Sequence, residues 1–149
     1  MTAKEYLSQY RDADREIQAK VDQIARLRDL ATHITSMSTG DRVQSSPENK
    51  IERICAKIAD METEVDEEID KLQETKTSVE RAISSVPDAK QRTVLERRYI
   101  NGERWPRICT AIYGNRVDFQ DCYDSYLRTL YRIHGRALLS VRSVIECHY

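Results

Sequence analysis

The chain has 149 residues, a formal net charge of −1 and 33% charged side chains, which suits one elongated helical body or two small ones and rules out a large core. One Phe, one Trp, four Gly and three Pro give little material for sheets and tight turns, so the composition predicts an all-α chain. No apolar run approaches the roughly 18–20 residues of a membrane span, and the N-terminus is polar and charged from Lys4 onward. A soluble cytoplasmic protein with no membrane partner and no signal peptide is expected. Cys55, Cys109, Cys122 and Cys147 form no C-x-x-C pair and no metal-ligand spacing, so they are expected as free thiols, at least some of them buried.

The first helix is predicted to start at Thr2, which has the capping-box spacing to Glu5. Tyr10, Ala13, Ile17, Val21, Ile24, Leu27, Ala31 and Ile34 recur at steps of three or four and predict one long apolar stripe. Thr35 to Ser46, "TSMSTGDRVQSS", breaks the pattern. Ser46-Pro47 then reads as N-cap and first residue of a second long helix. Its stripe is Ile51, Ile54, Ile58, Met61, Val65, Ile69, Leu72, Val79, Ile83 and Val86, with a lapse at Thr75 and Lys76. Two such stripes joined by a loop predict a long antiparallel coiled-coil hairpin over residues 1–86 that serves oligomerisation, with a homodimer as the default.

Pro87 marks the next boundary, since the residue before a proline is pushed out of helical geometry. Charge changes there too: residues 1–87 carry 13 basic and 18 acidic side chains, a net of −5, and residues 88–149 carry 11 and 7, a net of +4. From Pro87-Asp88 a short helix is predicted with Val94, Leu95, Tyr99 and Ile100, closed by the turn Asn101-Gly102. Another follows, with Pro106 in its first turn, Trp105, Ile108, Cys109, Ile112 and Tyr113 on its apolar face, and Gly114 at its end. Between Ser125 and Arg142 there are four arginines, Arg128, Arg132, Arg136 and Arg142, and no acid. The first three share one face of a predicted helix. Leu127, Leu130, Ile133, Ala137, Leu138 and Val141 form the apolar positions. A basic face of this kind neutralises phosphates, although a solvated arginine face has the same pattern. Helix, short turn, helix and basic amphipathic helix is the order of a helix-turn-helix unit over residues 87–149.

The strings "RTVLERRYINGERWPRICTAIYG" and "LYRIHGRALLSV" resemble region four of bacterial sigma factors. Leu95, Arg98, Tyr99, Ile108, Gly114, Leu130, Ile133, Ala137 and Leu138 fall on that pattern's core positions. Tyr126, Arg128, Thr129, Tyr131 and Arg132 fall on positions that face DNA, and Arg136 extends their basic row. Over nearly its full length the chain also resembles small phage and prophage proteins of Firmicutes, of unassigned function, through "MTAKEYL", "DRVQSS", "RTVL", "RYING" and "YRIHGRAL". That resemblance extends in the C-terminal part to phage late-gene activators of the ArpU and RinA type. It implies a sigma-like helix-turn-helix regulator whose partner is double-stranded DNA.

The chain departs from the sigma pattern at Asn115 to Asp124, "NRVDFQDCYD", which separates the second helix from the basic one. This insert is expected to extend the basic helix N-terminally, to form a short helix of its own or to serve as a protein contact. Asp118, Asp121 and Asp124 put negative charge where a recognition helix approaches the DNA backbone. Gly135 lies inside the predicted basic helix at a cost of about 0.5–1 kcal/mol relative to Ala. Close packing of another helix is the preferred offset, ahead of approach by a phosphate backbone. For His134 a structural role is preferred over phosphate contact or pH switching. Tyr126 and Tyr131 are either hydrogen-bond donors to DNA or half-buried packing residues.

No phosphate loop, H-E-x-x-H or nucleophile with a nearby histidine is present, so neither an enzyme nor a cofactor or small-molecule substrate is expected. The leading expectation is a phage DNA-binding transcriptional regulator. The alternative is a helical adaptor that contacts host RNA polymerase or a packaging component without specific DNA binding.

Overall fold

The computed structural model describes residues 1–37 and 47–147, all-helical with no strand among them, as five helices: α1 (Ala3–Met37), α2 (Pro47–Ser84), α3 (Ala89–Leu95), α4 (Trp105–Tyr113) and α5 (Tyr123–Cys147). The Thr2–Glu5 capping box forms: the Thr2 amide donates to Glu5 Oε2 at 2.6 Å and the Glu5 amide to Thr2 Oγ1 at 3.2 Å. α1 continues past Thr35, where a loop was expected, and the Thr35 and Ser36 hydroxyls donate back to the Ala31 and Thr32 carbonyls of the same helix. α2 opens at Pro47 and runs unbroken through Thr75 and Lys76. The predicted Ser46 cap and the "DRVQSS" string lie outside the described residues.

The chain divides into two compact units, residues 13–73 and residues 1–12 with 74–149. α1 and α2 each contribute residues to both units.

In the unit of residues 13–73, α1 and α2 pair antiparallel within one chain. Lys20 bonds Glu68 and Arg28 bonds Glu62, the two numberings running in opposite directions. Ile17, Ile24, Ile58 and Val65 form its buried seam, each helix repeating at seven residues as a supercoiled pair requires. Val21 and Ile69, assigned to the stripes by their spacing, are 39% and 45% exposed. A seven-residue seam filled by isoleucine and valine leaves these positions on its flank.

The other unit has two buried clusters. Leu7, Val79, Ile83 and Val86 pack with Leu95, Tyr99, Ala137 and Val141, so the first turns of α1 and the last of α2 share a core with α3 and α5. Val94, Ile108, Cys109, Tyr113 and Leu130 form the second, between α3, α4 and α5. After α2 ends, Arg92 donates to the carbonyls of Val86 and Pro87 at 2.7 and 2.8 Å, which satisfies backbone acceptors beside the helix end. Asp88 caps α3 by accepting from the Gln91 amide at 2.8 Å. α3 then widens into one π-turn, Glu96–Ile100, whose last bond runs from the Asn101 amide to the Glu96 carbonyl. At the Asn101-Gly102 turn, Gly102 takes φ +67° and lies against the Arg11 guanidinium.

Candidate nucleic-acid interface

α5 starts at Tyr123, so the insert does not become a helix of its own. Residues 115–122 form successive turns, held by bonds such as Phe119 amide to Arg116 carbonyl and Cys122 amide to Asp118 carbonyl. At about 100° per residue, one arc of α5 carries Leu130, Ala137 and Val141, all fully buried. The opposite arc carries Arg128, Arg132 and Arg136, all exposed. Among the described residues no carboxylate is within ion-pairing distance of these three arginines. Arg142, a further turn along, is instead paired with Glu146 at 2.7 Å.

The other sequence-predicted contacts divide. Thr129 is exposed, with its hydroxyl donating to the Ser125 carbonyl of its own helix at 3.0 Å. Tyr131 is 46% exposed and meets Trp105 edge-on with centroids 5.4 Å apart. Tyr126 takes the packing alternative. Its ring stacks on Tyr113 at 4.8 Å and its hydroxyl donates to Asp118 Oδ1 at 2.7 Å. That bond holds the Asp118 carboxyl below its ordinary range and pushes the Tyr126 hydroxyl up. Of the three insert aspartates, Asp118 is thus engaged by Tyr126, while Asp121 and Asp124 are exposed at the start of α5, where acidic side chains complement the helix dipole.

His134 has the structural role that was preferred for it. Its Nε2 lies 2.9 Å from the Tyr99 hydroxyl, and its ring contacts Tyr99 and Trp105 at centroid distances of 5.8 and 4.7 Å. Burial, with Arg98 and Lys4 adding positive potential, lowers its pKa to about 4. Arg98 itself stacks over Trp105 at 4.8 Å and donates to the Glu103 carbonyl at 3.1 Å.

Gly135 contradicts the preferred expectation. A Cβ built there meets nothing within 4 Å, so among the described residues no helix packs against it. The apolar partners of α5 are all reached from its other arc, and the glycine opens outward.

Sequence reasoning passed over Leu139, which is 65% exposed on the arginine side of α5. It also passed over Arg104 and Arg107, exposed at the start of α4. The string "ERWPR" held the signal for both arginines but was read only for its aromatic and its proline.

Among the described residues no three His, Cys, Asp or Glu side chains gather as a metal site, and no helix is long and apolar enough to cross a membrane. Cys109 is buried, and burial raises its thiol pKa; Cys55 and Cys147 are exposed and free. In comparisons with known proteins, no family model, no curated protein and no solved structure matches the chain.

Proposed function

We propose that this chain is a DNA-binding transcriptional regulator of phage or prophage genes, which acts in the cytoplasm as a homodimer, without catalysis or cofactor, through the outer face of α5. The observation that carries the reading is the acid-free run of exposed arginines Arg128, Arg132 and Arg136 on one face of a helix whose opposite face is core. Such a row neutralises successive phosphates and releases their counterions, and its guanidinium forks match guanine edges. The likeness of residues 92–114 and 130–141 to sigma region four, with its helix-turn-helix, supports a role in transcription. Val21 and Ile69, partly exposed on the hairpin seam's flank, support self-association.

The test is fluorescence anisotropy with the full chain. One duplex of about 25 base pairs is enriched by repeated selection on the protein and one has mixed sequence; the length accommodates two half-sites one helical turn apart. Titrations at about 50 and 200 mM salt bracket the steep range of multi-phosphate binding. Arg128→Ala or Arg132→Ala weakens binding of the selected duplex by about 1–3 kcal/mol where the contact is to a base, and lowers the salt slope by about one where it is to a phosphate. No binding to either duplex at the lower salt refutes the reading and favours the adaptor alternative, with host RNA polymerase as the first partner to assay.

A further inference from the structure

We infer that α5 meets duplex DNA with its middle, centred on Gly135 as the point of closest backbone approach, rather than with its N-terminal turn; this rests on the DNA-binding reading above. A glycine inside a helix costs about 0.5–1 kcal/mol relative to alanine. Nothing within the described fold requires it here. The position has no positive φ, and an added methyl group meets no atom within 4 Å. The remaining physical use of a missing side chain is to let an outside body come close to the backbone.

The surroundings specify that body. On a helix the neighbours of residue 135 are residues three, four and seven away. These include Tyr131 and Arg132 on one side and Leu139 on the other, with Arg128 and Arg142 a turn beyond at either end, all of them exposed. The stripe from Arg128 to Arg142 is about 21 Å long at 1.5 Å per residue. Arg128, Arg132 and Arg136 run beside a low centre made by Gly135 and Leu139, while Arg142 at the far end is paired with Glu146. A major groove admits an α-helix, presents phosphates along its two rims and exposes thymine methyl groups on its floor, which an exposed leucine side chain can touch. A second copy of the same face is a poor match, since it would set Arg128, Arg132 and Arg136 against their own kind.

A helix-turn-helix ordinarily contacts bases with the N-terminal residues of its recognition helix. Here Asp121 precedes that end and Asp124 lies in its first turn, both exposed, and they repel phosphate. The acid-free segment lies further along, with Gly135 inside it.

The experiment measures full-length Gly135→Ala, Gly135→Leu and Ser125→Ala against the wild type by anisotropy with the selected duplex, alongside thermal unfolding and sedimentation velocity. G135A is expected to raise the unfolding midpoint while weakening DNA binding about tenfold, the scale of one lost base-edge contact, and G135L to weaken it further. S125A, near the N-terminal turn, binds within about twofold of wild type. Wild-type affinity in both glycine variants overturns the inference while the DNA-binding reading stands, as does a loss confined to S125A. A glycine variant that loses affinity only because its dimer dissociates also overturns it. Failure of the wild type to bind any duplex overturns the reading and the inference together.

Discussion

The hydroxyl of Tyr99 and Nε2 of His134 lie 2.9 Å apart and join the π-turn after α3 to the middle of α5, beneath the Trp105 ring. With the imidazole proton on Nδ1, Nε2 accepts from the tyrosine, and the ring is neutral. A second proton, on Nε2, makes that nitrogen the donor and the Tyr99 oxygen the acceptor, and places a cation beside Arg98 and Lys4.

Stability should therefore fall on acidification. The unfolded chain protonates His134 near its ordinary 6.5 and the folded chain only near 4. Between these values the unfolded state binds more protons, so stability is full above about pH 6.5 and declines as pH drops to 4. Water reaches part of the ring, which reduces the loss to about 1–2 kcal/mol. Urea unfolding at stepped pH checks this. His134→Gln should flatten the slope across that window, and an unchanged slope would remove His134 as its source.

Leu7 is fully buried in the cluster that also holds Val79, Tyr99 and Val141. Leu7→Ala should cost about 2–5 kcal/mol, as buried leucine truncations do. The same packing predicts that a fragment of residues 87–149 does not fold alone, because Leu7, Val79, Ile83 and Val86 complete its core. Circular dichroism of that fragment, with and without an added peptide of residues 1–12, reads the outcome; cooperative melting of the bare fragment would contradict it.

Gly102 holds φ +67°, and a Cβ there would clash with the Arg11 guanidinium. Gly102→Ala adds left-handed strain and displaces the arginine, for a loss of about 1–2 kcal/mol. A denaturation midpoint equal to wild type would show that the turn relaxes without cost.

Tyr113 is buried, and its hydroxyl has no hydrogen-bond partner among the described residues, although Lys90 sits over its ring at 5.2 Å. Tyr113→Phe removes a desolvated polar atom and keeps the stack on Tyr126. The variant should be more stable by about 1 kcal/mol. A marked loss of stability would mean that the hydroxyl is satisfied in solution.

Much of this molecule was legible from local signals. The capping box at Thr2, the start of α2 at Pro47, the turn at Gly102 and the basic and apolar arcs of α5 each depend on residues a few positions apart. For the candidate interface, the arginine row was visible because a helix repeats every 3.6 residues, whatever it packs against. Tyr126 stands four residues before Leu130 on the apolar arc, so its inward side was also legible; its partners Tyr113 and Asp118 come from outside α5 and were not.

The sequence by itself determined the helices, the starts of the first four and the segregation of charge, because hydrogen-bonding period, caps and backbone restrictions act within a turn or two of chain. Tertiary structure alone decided that Leu7 shares a core with Val141, that the compact units divide at residues 12 and 73, and that Gly135 opens outward. An apolar residue carries the cost of its own exposure but no information about which distant surface removes it from water. That choice is made when all the faces pack at once.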